Sequence, residues 1–319
     1  MSKAKVFIDG SEGTTGLRIF ERFQNRDDIE VMKINPELRK DPTERAKMIN
    51  SSDYTFLCLP DAAAIEAVGL VDKDNDHTVI IDASTAHRTN PDWAYGLPEL
   101  SKDHFDKIAT SKRIANPGCY ASGFIMMAYP LVELGILDKS YPMTISAVSG
   151  YSGAGKKAIA LYEADDKTND LYAPRQYGLP QQHKHLKEMK IITGLDKEPI
   201  FIPIVDDYYC GMVVNLPIHK ELMKKQMTPE EICNVLKDYY KGQAFIRVCD
   251  FGKEAEYNGF LAANELAGKD YADILVTGNE DRIVVSAMFD NLGKGASGAA
   301  IECLNISMGI DPTTGLVLI

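Results

Sequence analysis

Val6-Phe7-Ile8-Asp9-Gly10-Ser11-Glu12-Gly13-Thr14-Thr15-Gly16-Leu17 joins an apolar triplet to a glycine-rich turn and then to a helical pattern running from Leu17 to Phe23. An apolar run without polar alternation reads as a parallel strand buried on both faces. Strand, glycine turn and helix make the first unit of a dinucleotide-binding fold. There the glycines let the backbone approach a pyrophosphate at the helix N-terminus. The spacing is GxxGxxG, not GxGxxG, so its weight comes from its position between a strand and a helix.

Working outward, Ile29 to Ile34, Tyr54 to Pro60 and Val79 to Asp82 read as further apolar strands, with Ile108-Ala109 as a short last one. Helical stretches separate them through about residue 118, which predicts a parallel, doubly wound sheet. The second strand ends at Asn35-Pro36 without the acid that usually binds a ribose 2′-hydroxyl, and Arg39 and Lys40 come soon after. That arrangement tolerates a 2′-phosphate and leans to NADP, although both bases also suit a solvated surface. Cys58 reads as core. Ser84, Thr85 and Arg88 lie beyond a strand's carboxyl end, where ligands bind, and Arg88 suits an anion. His87 fits a site or the surface equally. Trp93 and Tyr95 to Leu100 form a turn-rich connector, either structural or near a nicotinamide.

Next in the chain is Asn116-Pro117-Gly118-Cys119-Tyr120-Ala121-Ser122-Gly123. Pro-Gly is turn chemistry, and the apolar segment after it reads as a helix ending at Gly135. Cys119 therefore falls at a helix N-terminus, where free N–H groups and the dipole favour a thiolate. It is a covalent nucleophile or a buried inert thiol; position alone leaves both open.

From about residue 140 the texture changes. Met143 to Val148 alternates as a strand and runs into Ser149-Gly150-Tyr151-Ser152-Gly153-Ala154-Gly155-Lys156-Lys157. Lys157 stands where a P-loop needs Ser or Thr, so an NTPase is rejected. The loop either cradles a phosphate with its N–H groups, hydroxyls and lysine or is merely flexible. His183 and His185 lack the neighbours a metal site requires and suit a base partner for a cysteine, with at most one facing a cleft. His219 reads as surface. Ile200 to Ile204, Gly211 to Ile218, Phe245 to Asp250, Ile274 to Gly278 and Arg282 to Phe289 read as strands. Thr228 to Lys241 reads as a helix with an N-cap at Thr228-Pro229-Glu230-Glu231. Many strands with few helices imply an antiparallel sheet covered on one face. A glycine-rich turn near Gly293 to Gly298 then feeds a small-residue helix.

The totals bound the function. Of 319 residues, 45% are hydrophobic and 25% charged, ordinary for a globular protein with room for two cores. A net charge of -11 excludes a general affinity for nucleic acid or anionic membrane. No apolar run approaches the ~20 residues that span a bilayer. The six cysteines are scattered, with no CxxC and no zinc spacing, which fits a reducing cytosol. The chain enters a strand almost at once, so no signal peptide is expected.

Together, Gly10 to Gly16 with Thr14-Thr15-Gly16-Leu17-Arg18, Asn116-Pro117-Gly118-Cys119-Tyr120, Ser149 to Gly155, His183-Lys184-His185 and Lys294-Gly295-Ala296-Ser297-Gly298 resemble the N-acetyl-gamma-glutamyl-phosphate reductase family, short subtype, of the semialdehyde dehydrogenase group. The motifs span nearly the whole chain in order, and the cysteine motif is the most specific. Lys187 before Glu188 departs from the commoner Pro. The resemblance implies an α/β fold: a Rossmann-type NAD(P)-binding domain at 1–118, completed by a C-terminal helix at 296–319. Inserted at 119–295 is an α+β domain with a mostly antiparallel mixed sheet, carrying catalysis and subunit contacts.

It also implies Cys119 as nucleophile, His183 as acid/base with His185 in reserve, and NADP on Gly10, Ser11, Gly13, Thr14, Thr15 and Gly16. Gly295 flanks the nicotinamide end, and Ser84 joins the cofactor set. Phosphate and carboxylate partners are drawn from Arg88, Arg113, Ser149, Ser152, Gly153, Lys156 and Arg175, with no metal. The implied reaction is NADPH-dependent reduction of N-acetyl-L-glutamyl 5-phosphate through a cysteinyl thioester, in the cytoplasm, by a homo-oligomer (dimer or tetramer). The rivals are an aspartyl- or aminoadipyl-phosphate reductase of the same group and a non-catalytic NADP-binding redox sensor.

Overall fold

The computed structural model describes residues 3–319. Its first elements are β1 (Ala4–Asp9), α1 (Thr14–Phe23), β2 (Ile29–Met32), α2 (Pro42–Asn50), β3 (Tyr54–Leu57), α3 (Asp61–Gly69), β4 (Val79–Asp82), β5 (Ala94–Tyr95), α4 (Lys102–Thr110) and β6 (Arg113–Ala115). Then come α5 (Cys119–Glu133), β7 (Thr144–Gly150), α6 (Lys156–Tyr162), β8 (Arg175–Gln176), α7 (His185–Thr193), β9 (Ile200–Asp206) and β10 (Met212–His219). The remainder is α8 (Pro229–Tyr239), β11 (Ile246–Val248), β12 (Ala272–Gly278), β13 (Arg282–Phe289) and α9 (Gly298–Ser307). One compact unit comprises the chain through Pro117 with Ala296–Leu316, and the other comprises Gly118–Gly295 with Val317–Ile319.

The first unit holds a six-stranded parallel sheet in the order β2-β1-β3-β4-β6-β5. Successive side chains of a strand point to opposite faces, so the apolar run of β1 serves two cores. Val6 and Ile8 pack with Phe56, Ile81 and Ile114 against Ile301 and Leu304 of α9. Phe7 packs with Leu57 and Ile80 against Ile49, Ala64 and Ala67 of α2 and α3. The chain leaves β1 for β2 on one side and returns to β3 on the other. That switch places the Gly10 to Gly16 turn at the crevice where such sheets bind ligands.

The second unit holds a seven-stranded mixed sheet in the order β11-β12-β13-β10-β7-β9-β8. Four of its pairings are antiparallel, while β11 with β12 and β7 with β9 are parallel. The alternation in β7 buries Ile145 and Ala147 and leaves Thr144 and Ser146 half-buried. α5 lies so close on this sheet that a Cβ at Gly123 would sit 2.6 Å from Val214 Cγ2. The α8 start is a full capping box: Thr228 Oγ1 accepts from the Glu231 N–H, and Glu231 accepts from the Thr228 N–H at 2.7 Å.

Two expectations are corrected. Ile108-Ala109 is not a strand but the last part of α4, which Ser101 caps by accepting from the His104 N–H; the strand is Arg113–Ala115. Ile108 is the buried position of that helix, so two apolar residues in a row reflect a helical stripe. The C-terminal helix does not run over 296–319. A π-turn at Gly293–Ser297 leads into α9, which ends at Ser307, and Gly309 then takes φ +68. Asn305 Nδ2 donates to the carbonyls of Pro312 and Thr314 and folds the tail back.

Candidate active site

Cys119 is the first residue of α5, and it is half-buried. Gly118 is the N-cap in extended backbone and offers no side-chain cap, so the helix start stays open beside the thiol. The Gly118 N–H donates to Glu188 Oε1 at 2.9 Å. On another side the backbone of Gly295 comes so near that a Cβ there would stand 2.9 Å from Cys119 Cβ. Gly295 is placed by Asp290, whose carbonyl accepts the Gly295 N–H at 3.0 Å and whose carboxylate takes the N–H groups of Leu292 and Gly293.

A pocket of about 330 Å³ opens over Cys119. Ser149, Gly150 and Gly153 form one wall; Tyr120, Tyr177, His183 and Lys184 form another. His183 precedes α7, and its ring is edge-on to Tyr120, Tyr177 and Phe201. His183 Nδ1 accepts the His185 N–H at 3.2 Å, so the neutral ring carries its proton on Nε2. His185, the first residue of α7, has a buried side chain and stands edge-on to His183. Burial, with Tyr177 and Cys119 close by, raises the Tyr120 pKa well above its ordinary value. Burial likewise raises that of Tyr177. Both phenols therefore stay protonated and serve as hydrogen-bonding groups at neutral pH.

Of the residues expected from the sequence, the structure brings Cys119, His183, Ser149 and Gly153 to this pocket. Others are placed differently. Ser152 is buried and accepts from Asn291 Nδ2 at 2.9 Å, while Asn291 Oδ1 accepts the Gly211 N–H; Ser152 belongs to the scaffold under the loop. Arg88 is buried and donates to the carbonyls of Asn116 and Ala83, so it ties backbone together. Arg113 lies at the start of β6, at the opposite end of the strand from the ligand crevice, and donates to the carbonyls of Thr78 and Lys112. Burial lowers its pKa. Arg175 in β8 pairs with Asp170 at 2.9 Å and with the Tyr162 hydroxyl at 3.0 Å. Lys156 starts α6, exposed, outside the pocket wall.

Tyr177 has no place in the sequence reading, and Tyr120, Lys184 and Glu188 stand there only as motif neighbours of Cys119 and His183, with no role of their own. Lys184 between the two histidines was the visible signal. The role of Glu188 could be found only once a fold had joined residues seventy apart.

In the first unit, Gly10 takes φ +86, and a Cβ there would sit 2.4 Å from the Cys58 carbonyl oxygen. A Cβ at Gly16 would sit 2.6 Å from the Gly10 carbonyl oxygen. Gly13 is the N-cap of α1 and provides no side-chain cap. The buried Thr14 Oγ1 has no hydrogen-bond partner among the described residues. Open N–H groups and an orphaned hydroxyl at a glycine-lined helix start fit a dinucleotide pyrophosphate. A pocket of about 260 Å³ adjoins this turn, lined by Ser11, Glu12, Leu17, Phe20 and Lys33 among others, of a size for an adenosine moiety. Arg39 pairs with Glu12 at 2.6 Å on its rim. Ser84 donates its hydroxyl to Asp82 Oδ2 at 2.7 Å. Cys58, beyond β3, has its thiol pushed up to about 12 by burial and by Asp82 and Asp9. It is inert.

Comparison with known proteins agrees with both units. The family described as semialdehyde dehydrogenase, NAD binding domain, matches residues 5–108, and semialdehyde dehydrogenase, dimerisation domain, matches residues 119–291. N-acetyl-gamma-glutamyl-phosphate reductase 2 of Nostoc sp. is 44% identical over 99% of this chain and 100% of its own length. N-acetyl-gamma-glutamyl-phosphate reductase of Brucella ovis is 43% identical over 96% of this chain and 99% of its own. Among solved structures, aspartate semialdehyde dehydrogenase from Francisella tularensis superposes with a TM-score of 0.71 at 16% identity, covering 95% of this chain and 99% of that one. Aspartate semialdehyde dehydrogenase II from Vibrio cholerae superposes at 0.69 with 14% identity, covering 97% and 99%. At such identities the likeness speaks for the fold. With near-full-length relatives above 40% identity and both domains matched, the chain belongs to the N-acetyl-gamma-glutamyl-phosphate reductase family of the semialdehyde dehydrogenases.

Proposed function

We propose that the protein reduces N-acetyl-L-glutamyl 5-phosphate to N-acetyl-L-glutamate 5-semialdehyde and phosphate with NADPH, a step of arginine biosynthesis in the cytoplasm. The observation that carries this reading is the half-buried thiol of Cys119 at an uncapped helix start, in one pocket with His183. Cys119 is the nucleophile. Its thiolate, favoured by the α5 dipole, attacks the acyl carbon and forms a thioester as the carbon–oxygen bond to phosphate breaks. Ser149 and Gly153 on one wall and Lys184 on the other receive the departing phosphate through hydroxyl, N–H and ammonium groups. NADPH, when bound, supplies the hydride to the thioester carbonyl. The Nε2–H of His183 donates to the oxyanion that develops there, and collapse of the tetrahedral species returns the electron pair to sulfur.

Gly10, Ser11, Gly13, Thr14, Thr15 and Gly16 would hold the pyrophosphate, with Ser84 of the same unit as a further cofactor neighbour. Lys33 and Arg39 stand near the adenosine pocket, where a 2′-phosphate needs cations. The first unit is thus the cofactor domain. The second is the catalytic domain and the oligomerisation surface of a dimer or tetramer, consistent with the description of its matched family.

The test runs the reaction backwards. Phosphate-dependent reduction of NADP should proceed with N-acetylglutamate semialdehyde and fall at least about a hundredfold with aspartate semialdehyde. The opposite preference would move the substrate to the aspartyl series. NADP binding without turnover on either would leave a redox sensor.

A further inference from the structure

Glu188 is only 2% exposed. A carboxylate taken that far from water is tolerated only where the protein donates to it. Its Oε1 accepts the Gly118 N–H at 2.9 Å, from an α7 residue to the N-cap of α5. One turn earlier, the first N–H of α7, that of His185, donates to His183 Nδ1. A single rigid helix therefore grips the turn that carries the thiol at one point and the imidazole ring at another.

A second anion near Cys119 disfavours its thiolate. What Glu188 contributes is the bond. We propose that Glu188 is a positioning residue: through the Gly118 N–H it sets Cys119 Sγ in register with the His183 ring. The role rests on Cys119 being the nucleophile and His183 the acid/base. Misplacing reacting groups by about 1 Å can cost on the order of a hundredfold in rate. Glu188 acts through that bond and not by contact with substrate or cofactor.

Glu188→Gln keeps an acceptor oxygen at the same reach and removes the charge, while Glu188→Ala removes both. The expected result is a kcat for Glu188→Gln within about threefold of wild type. For Glu188→Ala, kcat should be about ten- to a hundredfold lower, with KM for NADPH and for the acyl phosphate unchanged. Amide exchange at Gly118, read by NMR on the unmodified protein, should be slow. It tests the bond without any reaction and without a variant that has to fold. The proposal is overturned if Glu188→Ala stays within threefold of wild type, if Glu188→Gln is as impaired as Glu188→Ala, or if the wild-type Gly118 amide exchanges like an exposed one. Failure of the underlying reading looks different: Cys119→Ser would keep turnover whatever the Glu188 variants do.

Discussion

The turn before α1 and the turn before α5 are built alike and used differently. Each enters a helix through a glycine, Gly13 or Gly118, that supplies no side-chain cap. Helices α2, α4 and α8, by contrast, are capped by Asp41, Ser101 and Thr228. Helices α3, α6, α7 and α9 also start without a side-chain cap, and with glycine at the N-cap the loss is only about a few tenths of a kcal/mol, so what sets the two turns apart is what lies beside them. In α1 the residue after the glycine is Thr14, whose buried hydroxyl has no partner among the described residues, and the adenosine-sized pocket adjoins. In α5 the residue after the glycine carries a thiol, and the N-cap's own N–H is occupied by Glu188. One helix start leaves a buried hydroxyl without a partner among the described residues; the other is tied down by a carboxylate from α7. Cys58 shows the fate of a thiol without such a start: after a strand of similar apolar character, burial and two aspartates push it up to about 12.

The sharpest way to break this contrast is Cys119→Ser. Its hydroxyl at the same helix start is far less acidic, so turnover should drop at least about a thousandfold. The turn before α1 is untouched, and NADPH should bind as in the wild type when monitored by cofactor fluorescence. Near-normal turnover would end the covalent mechanism; lost NADPH binding would show that the two turns do not act separately.

His183→Ala comes next, with an expected loss of about a hundredfold or more in kcat. His185→Ala should lose less activity, because its ring is buried behind the pocket while its backbone N–H, which survives the substitution, holds His183. Its larger effect should fall on thermal stability, through the cavity left by a buried ring. Steady-state kinetics and melting curves on both variants separate the two roles, and the reverse order in kcat would move the acid/base role by two residues.

How much was legible in the sequence depends on the range of the interactions. The strand–turn–helix opening and the capping box at Thr228 involve residues within a few positions of one another, and both were readable. Cys119 was readable as a helix start for the same reason. The helix over Ile108-Ala109 was missed because two adjacent apolar residues fit either period, and the deciding signal was the Ser101 cap several residues upstream. The arginines are ambiguous in the sequence for a different reason. A guanidinium in a ligand-facing loop suits a substrate anion and a set of backbone carbonyls equally well. Only the fold shows that Arg88 is already engaged by Asn116 and Ala83. The motif includes Glu188, but its bond to the Gly118 N–H cannot be read there because the two residues are seventy apart.

The smallest effects should come from the glycine turn, and there geometry ranks what the motif leaves equal. GxxGxxG gives Gly10, Gly13 and Gly16 the same standing. In the structure, Gly10 combines φ +86 with a Cβ position 2.4 Å from the Cys58 carbonyl oxygen, so alanine meets backbone strain and a clash together. Gly16 has no left-handed backbone, but its Cβ would stand 2.6 Å from the Gly10 carbonyl oxygen, which cannot yield without moving the turn. At Gly13 the nearest atom, again the Gly10 carbonyl oxygen, is 3.3 Å away, a contact that a shift of a few tenths of an ångström relieves. Alanine should therefore destabilise in the order Gly10, Gly16, Gly13, from about 3 kcal/mol or more down to less than about 1 kcal/mol. NADPH affinity should fall in the same order, while alkylation of Cys119 by iodoacetamide stays at the wild-type rate in every variant that folds. Melting temperature, cofactor titration and alkylation rate measured on the three variants check the ranking. An equal loss at all three would mean that the turn works as a flexible loop and not as the shaped cradle that separates it from the tied-down start of α5.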